Sequence, residues 1–333
     1  METEFDVVAL GELLIDFTQN GMSRQGNPVF EANPGGAPAN VLAMLRKLGR
    51  TCAFLGKVGR DSFGDLLEQT LQEKGIDTRG LLRAEEVPTT LALVHTLPDG
   101  DREFSFYRKP GADLMLRAED LDPALLGKCR VFHFGSLSLT DEPCRSATRR
   151  AVKLAKAAGA ILSFDPNLRE PLWTELEQAR EEISWGMSQC DVVKIADNEL
   201  LFLTDCSEFD RGAALLRERF PNLRLVNVIA GAEGSCAYYQ DSRVFVPACA
   251  LGGVMETTGA GDTFCACVLH FLLENGLEEL TPEQLTEMLR FANAAAYLVT
   301  TRKGAINSMP DLEQIEQVLR ASAHRAKPGG STR

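Results

Sequence analysis

The chain has 333 residues, of which 44% are hydrophobic and 25% charged, enough for one large α/β domain or two small ones. Thirty-five basic against 47 acidic residues leave a net charge of −12, which argues against nucleic acid as the main partner. A small anionic ligand stays open, because local N–H groups, lysines and metal ions override the mean field. No basic segment with an apolar core opens the sequence, and the apolar run Phe264–Leu273 is too short to cross a bilayer, so no secretory signal and no membrane partner are expected. The nine cysteines follow no framework spacing and their number is odd, which points to reduced thiols in a cytoplasmic protein.

In chain order, Phe5–Leu10 reads as a buried strand ended by Gly11, and Ala39–Leu48 as a helix closed by Gly49. Cys52–Val58 reads as a strand, and Asp61–Lys74 as a helix closed by Gly75. Thr89–Leu97 and Arg102–Arg108 flank the turn Pro98-Asp99-Gly100-Asp101 and form a hairpin whose second arm puts Phe104, Phe106 and Arg108 on one face. Strand and helix signals then alternate: Arg130–Phe134, Asp141–Ala158, Ala160–Asp165, Leu176–Met187, Val192–Ile195, Arg211–Phe220 and Leu223–Ala230. A small hairpin (Ser235–Tyr239, Val244–Val246) precedes helices at Gly261–Glu274, Pro282–Val299 and Asp311–Ala321. The alternation implies a mostly parallel central sheet between two helical layers. The early hairpin breaks it and is expected to leave the sheet as a lid.

Ligands of open α/β sheets sit at the carboxyl ends of strands. Polar or glycine clusters follow such ends at Gly11-Glu12 with Asp16, Gly56–Asp61, Gly135-Ser136, Asp165–Arg169, Asp197–Glu199 and Gly231–Gly234. Neither a Walker A sequence, a Gly-x-Gly-x-x-Gly fingerprint after the first strand, a His-Glu-x-x-His motif nor a nucleophile elbow is present. Cys265 and Cys267 would face different sides of a helix, so metal binding there is disfavoured. In Glu256-Thr257-Thr258-Gly259-Ala260-Gly261-Asp262, a glycine loop enters a helix with Asp262 in its first turn. Taken alone, that carboxylate is a helix cap or a base beside an anion site.

Asn33–Val41 (with Gly35-Gly36-Ala37-Pro38-Ala39-Asn40), Gly56–Gly64, Phe164–Arg169 and Thr257–Asp262 occur in the order and at the spacing that resemble the ribokinase (PfkB) family of sugar kinases, from about residue 5 to 320. Gly-Gly-Ala-Pro-Ala-Asn-Val and Asp165–Trp173 most resemble its fructokinases. The resemblance implies a ribokinase-like α/β/α sandwich over residues 1–325, with a β lid from about 13–33 and 87–110 and a disordered tail at 326–333. It implies ATP-dependent phosphorylation of a hexose primary hydroxyl, most simply that of fructose. Asp262 would be the general base, with backbone N–H groups of Gly259, Ala260 and Gly261 as the anion hole. Asp16, Gly35, Gly36, Asn40, Arg108 and Arg169 would meet the sugar. The bland alternatives are a plain turn at Gly35-Gly36, a solvated strand-end Arg108, and an Arg169–Glu170 salt bridge. Gly231, Gly234, Asn293 and Lys194 would serve ATP, and Glu199 would organise Mg2+ through water. Glu256, Thr258, Gly304 and Ser308 would hold a monovalent cation such as K+. The chain departs from the family pattern at Ile229 (usually Thr), Ala196 (usually Asn or Ser) and Glu256 (usually Asp). A 2-keto-3-deoxygluconate kinase and a non-catalytic binding module are the competing readings. The hairpin's apolar alternation would either pack across a homodimer as a shared lid or cover the protomer's own site.

Overall fold

The computed structural model describes residues 3–96, 102–249 and 251–326. Its strands are β1 (Phe5–Leu10), β2 (Leu14–Met22), β3 (Pro28–Gly35), β4 (Cys52–Gly59), β5 (Asp77–Ala84), β6 (Leu91–Thr96), β7 (Arg102–Tyr107), β8 (Cys129–Gly135), β9 (Ile161–Asp165), β10 (Val192–Ala196), β11 (Leu225–Ile229), β12 (Gly234–Tyr239) and β13 (Ser242–Pro247). The helices are α1 (Ala37–Lys47), α2 (Ser62–Glu73), α3 (Pro123–Leu126), α4 (Cys144–Ala157), α5 (Leu176–Gln189), α6 (Asp197–Thr204), α7 (Phe209–Arg219), α8 (Ala260–Asn275), α9 (Pro282–Thr300) and α10 (Leu312–Ala326). The expected turn at 98–101 and the tail beyond 326 lie outside the described residues.

Nine strands form one sheet in the order β13-β12-β11-β10-β9-β8-β1-β4-β5, parallel except that β12 pairs antiparallel with both β11 and β13. Strands buried on both faces read as continuous apolar runs, and β1 is one: Val7 and Ala9 join one core, Val8 and Leu10 the other. The first core packs α1, α2, α8, α9 and α10 against the sheet; the second packs α3 through α7. The result is a three-layer α/β/α arrangement.

β1 is flanked by β4 on one side and β8 on the other, so the strand order reverses beside it. That switch point is where crossover helices diverge and leave a crevice at the carboxyl ends. From the end of β1 the chain passes through Gly11–Leu13 into a second sheet of order β3-β2-β6-β7, which stands over this crevice. β6 and β7 are the expected hairpin, with Ala92 opposite Phe106. β5 and α6 carry weaker patterns and were not among the expected elements.

Helix α5 approaches β9 closely because Gly186 has no side chain: a Cβ there would lie 2.5 Å from the ring of Phe164. Phe164 is fully buried and packs on Phe134 with ring centroids 4.8 Å apart. It directly precedes Asp165, so packing here sets where that carboxylate emerges. Phe164→Ala is expected to cost about 3–5 kcal/mol, read as a lowered urea midpoint; a loss below about 1 kcal/mol would contradict the packing argument.

Candidate active site

A cavity of about 590 Å3 opens where the carboxyl ends of β1, β9 and β10, the root of the small sheet and the start of α8 meet. Its wall includes Glu12, Asp16, Gly36, Asn40, Arg169, Lys194, Glu199, Glu256, Thr258, Gly259, Gly261 and Asp262. Five of the six polar clusters expected at strand ends contribute to it or flank it. The sixth, Gly56–Asp61, serves α2 and the small sheet: Asp61 accepts from the Gly64 N–H at 2.8 Å and from the Thr89 N–H at 2.8 Å.

Asp262 sits in the first turn of α8, 9% exposed, and accepts a hydrogen bond from Asn40 Nδ2 at 2.7 Å. Burial pushes its carboxyl up to about 6, helped by the negative charge of Asp165 and opposed by the Asn40 hydrogen bond and by Lys194 and Arg169. The value suits a group that must be ionised near neutrality and still accept a proton. Asn40 Oδ1 is buried without a hydrogen-bond partner, an acceptor left for something that enters the cavity.

Beneath Asp262 lies a buried ion pair, Lys194 Nζ to Asp165 Oδ1 at 2.9 Å and to Oδ2 at 3.0 Å. Burial alone would depress the Lys194 ammonium, but Asp165, Glu199 and Asp262 hold it above its usual range, so it stays charged. Neighbouring His133 is buried, pushed down to about 3 by burial and by Lys194, and held neutral against Ser163 Oγ at 3.0 Å. It is a satisfied core histidine.

The start of α8 is shaped for an anion. Gly259 has φ 79°, a left-handed conformation that favours glycine, and the first regular helical bond runs from the Thr263 N–H to the Gly259 carbonyl at 2.9 Å. The Gly261 and Asp262 amides therefore precede the ladder. A Cβ on Gly261 would come within 3.2 Å of Lys194 Nζ, so glycine keeps the space between helix and ammonium open. The expected contribution of Ala260 needs correction: its N–H donates to the Thr257 carbonyl at 3.2 Å, and Ala260 is not on the cavity wall.

On the side of the small sheet, Gly35 is spatially required, since a Cβ there would collide with the Asp16 carboxylate. Gly36 has φ 124°, and a Cβ on it would strike the Glu12 carbonyl. Arg169 and Phe106 line the cavity, as does Leu137. Arg108 does not close over it. Its guanidinium is buried off the cavity wall, 2.6 Å from Asp113, donating to the Leu137 carbonyl at 2.8 Å and to Thr140 Oγ1 at 3.1 Å. All of its polar reach goes to anchoring the small sheet.

Glu199 is buried and accepts from the Leu168 N–H at 2.7 Å and the Ala196 N–H at 2.8 Å, tying the Asp165–Arg169 loop to the start of α6. Gly231 and Gly234 form the turn after β11, beside the cavity edge, because Ile229 pairs in register with the wall residue Ala196. Asn293 is nearby but occupied: its Oδ1 accepts from Ser235 Oγ at 2.9 Å and its Nδ2 donates to the Val246 carbonyl at 3.1 Å. Its amide binds α9 to the β12–β13 hairpin. Glu256 accepts from the Gly304 N–H at 3.3 Å, and Ser308 Oγ donates to the Gly304 carbonyl at 2.8 Å. These oxygens, with Thr258 on the cavity side, are a donor set of the kind a hard cation takes.

Glu12 escaped the list of candidate residues. It is 3% exposed on the cavity wall, and burial pushes its carboxyl up to about 7 despite hydrogen bonds from backbone N–H groups and the nearby Arg108. Its signal was only the cluster Gly11-Glu12 at a strand end.

Residues 4–312 match the model of the pfkB family carbohydrate kinases. A probable fructokinase-3 of Arabidopsis thaliana is 42% identical over 312 residues, 93% of this chain and 90% of the relative. The crystal structure of a fructokinase with bound ATP from Xylella fastidiosa superposes with a TM-score of 0.86 at 32% identity, covering 96% of this chain and 99% of that one. A Vibrio cholerae O395 fructokinase in a fructose, ADP and calcium ion bound form gives 0.84 at 30% identity, covering 95% and 99%. With family match, relatives and fold in agreement, the chain belongs to the pfkB family of carbohydrate kinases.

Proposed function

We propose that this kinase transfers the γ-phosphoryl group of ATP to the primary hydroxyl of fructose, with Asp262 as the general base. The observation that carries the reading is the buried Asp262 carboxylate at the anion-binding start of α8, held by Asn40 and backed by the Lys194–Asp165 pair. The relatives described above are fructokinases, and one is bound to fructose and ADP.

In this reading the sugar lies between Asp16, Asn40 and Arg169, with the small sheet excluding water that would otherwise accept the phosphoryl group. Asp262 takes the hydroxyl proton as the sugar oxygen bonds to the γ-phosphorus and the bond to the ADP oxygen breaks. The Gly261 and Asp262 amides, at the positive end of α8, meet the charge on the transferred group, and Lys194 adds a fixed cation behind them. The Gly231–Gly234 turn, at the adjoining strand end, faces the rest of the nucleotide. Among the described residues no three His, Cys, Asp or Glu side chains cluster as a metal cage. That fits Mg2+ carried largely by phosphate and water oxygens, with Glu199 organising the water shell. Glu256, Thr258, Gly304 and Ser308 would hold a monovalent cation, which supplies positive charge beside the loop that bears Asp262. The longer Glu256 in place of Asp still offers carboxylate oxygens. Nothing in the cavity favours the 2-keto-3-deoxygluconate reading, since Arg108, one of the two cations it calls on, is occupied by Asp113.

A cytoplasmic setting accords with nine unpaired thiols. No helix among the described residues is long and apolar enough to cross a membrane. The small sheet exposes Met22, Val29, Phe30 and Tyr107, which supports self-association through it.

Three outcomes are expected. In a coupled assay with Mg2+ and K+, fructose drives ADP release, while Asp262→Asn lowers kcat by about 10²–10⁴-fold with ATP affinity nearly intact; turnover of the keto acid but not of fructose would sink the substrate assignment. As pH falls through about 6, Asp262 takes up a proton and ceases to act as a base, so kcat declines on the acidic side; a flat profile from pH 5 to 8 would exclude it as the titrating base. Sedimentation velocity is expected to give a dimer that Phe30→Glu converts to monomer, and an unchanged sedimentation coefficient in that variant would remove the small sheet as the interface.

A further inference from the structure

The first helical amide of α1 is capped from a distance. Gly36, at the N-cap position, offers no side chain, and the Ala37 N–H instead donates at 2.8 Å to Glu12 Oε1, 25 residues earlier in the chain. The two segments are closely fitted: a Cβ on Gly11 would lie 2.6 Å from Pro38 Cγ, and one on Gly36 would meet the Glu12 backbone. The same first turn of α1 carries Asn40, whose backbone N–H donates to the Gly36 carbonyl at 2.9 Å and whose side chain donates to Asp262 at 2.7 Å. Glu12 is thus two hydrogen bonds and one helical turn from the base.

We propose that Glu12 is a positioning residue for catalysis: by capping α1 it fixes the amide of Asn40 on Asp262. The inference rests on the kinase reading for its rate consequences but not for its geometry. The contact depends on the reach of the side chain and not on its charge, because an amide oxygen at the same place accepts the Ala37 N–H equally. Burial favouring the neutral carboxyl is in keeping with this. The charged groups around Glu12 are Arg108 and Asp113, and those around Asp262 are Asp165, Lys194 and Arg169.

Two substitutions separate reach from charge. Glu12→Asp keeps the charge and withdraws the oxygen by one methylene; Glu12→Gln keeps the reach and loses the charge. E12D is expected to lower kcat by about 10- to 100-fold at nearly unchanged KM for ATP, with E12Q recovering most of that loss. Because Asn40 lowers the Asp262 pKa, 13C NMR titration of the unliganded protein should show the Asp262 midpoint raised in E12D toward its value in Asn40→Ala, and close to wild type in E12Q. In the double variant E12D/N40A the loss should be no larger than in N40A alone. A midpoint unmoved in E12D, losses that multiply in the double variant, or E12Q impaired more than E12D would each overturn the proposal. An absence of sugar-dependent turnover in the wild type would overturn the kinase reading instead, and the NMR comparison would still decide the role of Glu12.

Discussion

Two carboxylates and one ammonium, buried together at the carboxyl edge of the sheet, set the terms for everything around them. Asp262 and Asp165, both buried, repel each other, and Lys194, bound to Asp165 at 2.9 Å, offsets part of that repulsion. Buried charges of this kind are costly unless paired and hydrogen-bonded. The compensations are visible: Asn40 on Asp262, Lys194 on Asp165, Glu199 satisfied by two backbone N–H groups, and Gly261 kept bare beside the ammonium. One negative charge is left incompletely offset, and its carboxyl accordingly titrates near the range where catalysis by a base is useful.

The fold supplies these groups from separate directions. Asp165 and Lys194 come from β9 and β10 in the middle of the sheet, Asp262 from α8, and Asn40 from α1 on the same face. The sheet's switch point beside β1 creates the opening, and the chain leaves β1 there to build the small sheet over it. Arg108 roots that sheet through Asp113, Leu137 and Thr140, so the cover is tied at its base to the loop after β8. Because that root carries no reacting group, it can be rigid while the outer strands remain exposed.

The main sheet was legible because its strands are apolar runs separated by glycine-closed helices. Phe5–Leu10 and Leu176 at the start of α5 stand where the pattern placed them. β5 was not legible: as an edge strand its residues are mostly half-exposed, and Asp77-Thr78-Arg79-Gly80 breaks any alternation. The eight residues of α6 are too few to show a period. At the site, glycine motifs disclosed the loops at Gly36, where φ is 124° and a Cβ would strike the Glu12 carbonyl, and at Gly259, where φ is 79°. Side-chain partners were another matter. Alternation along β7 put Arg108 with Phe106, but a buried Asp113 five residues later captured it. The partners of Asn293, Ser235 and the Val246 and Pro247 carbonyls, lie some 46 to 58 residues earlier and leave no mark in the sequence. Glu12 was seen only as part of a strand-end cluster and received no role, because its partner, the Ala37 amide, is a backbone group, and no residue pattern reports which amide a distant carboxylate will meet.

The central claim concerns one geometry, the reacting oxygen of the sugar between Asp262 and the start of α8. A crystal structure with fructose and a non-hydrolysable ATP analogue tests it most directly. The account predicts the primary hydroxyl within hydrogen-bond reach of the Asp262 carboxylate, about 2.6–3.2 Å, with the γ-phosphate against the Gly261 amide. A sugar bound with that hydroxyl turned away from Asp262, or a γ-phosphate seated at another strand end, would contradict it.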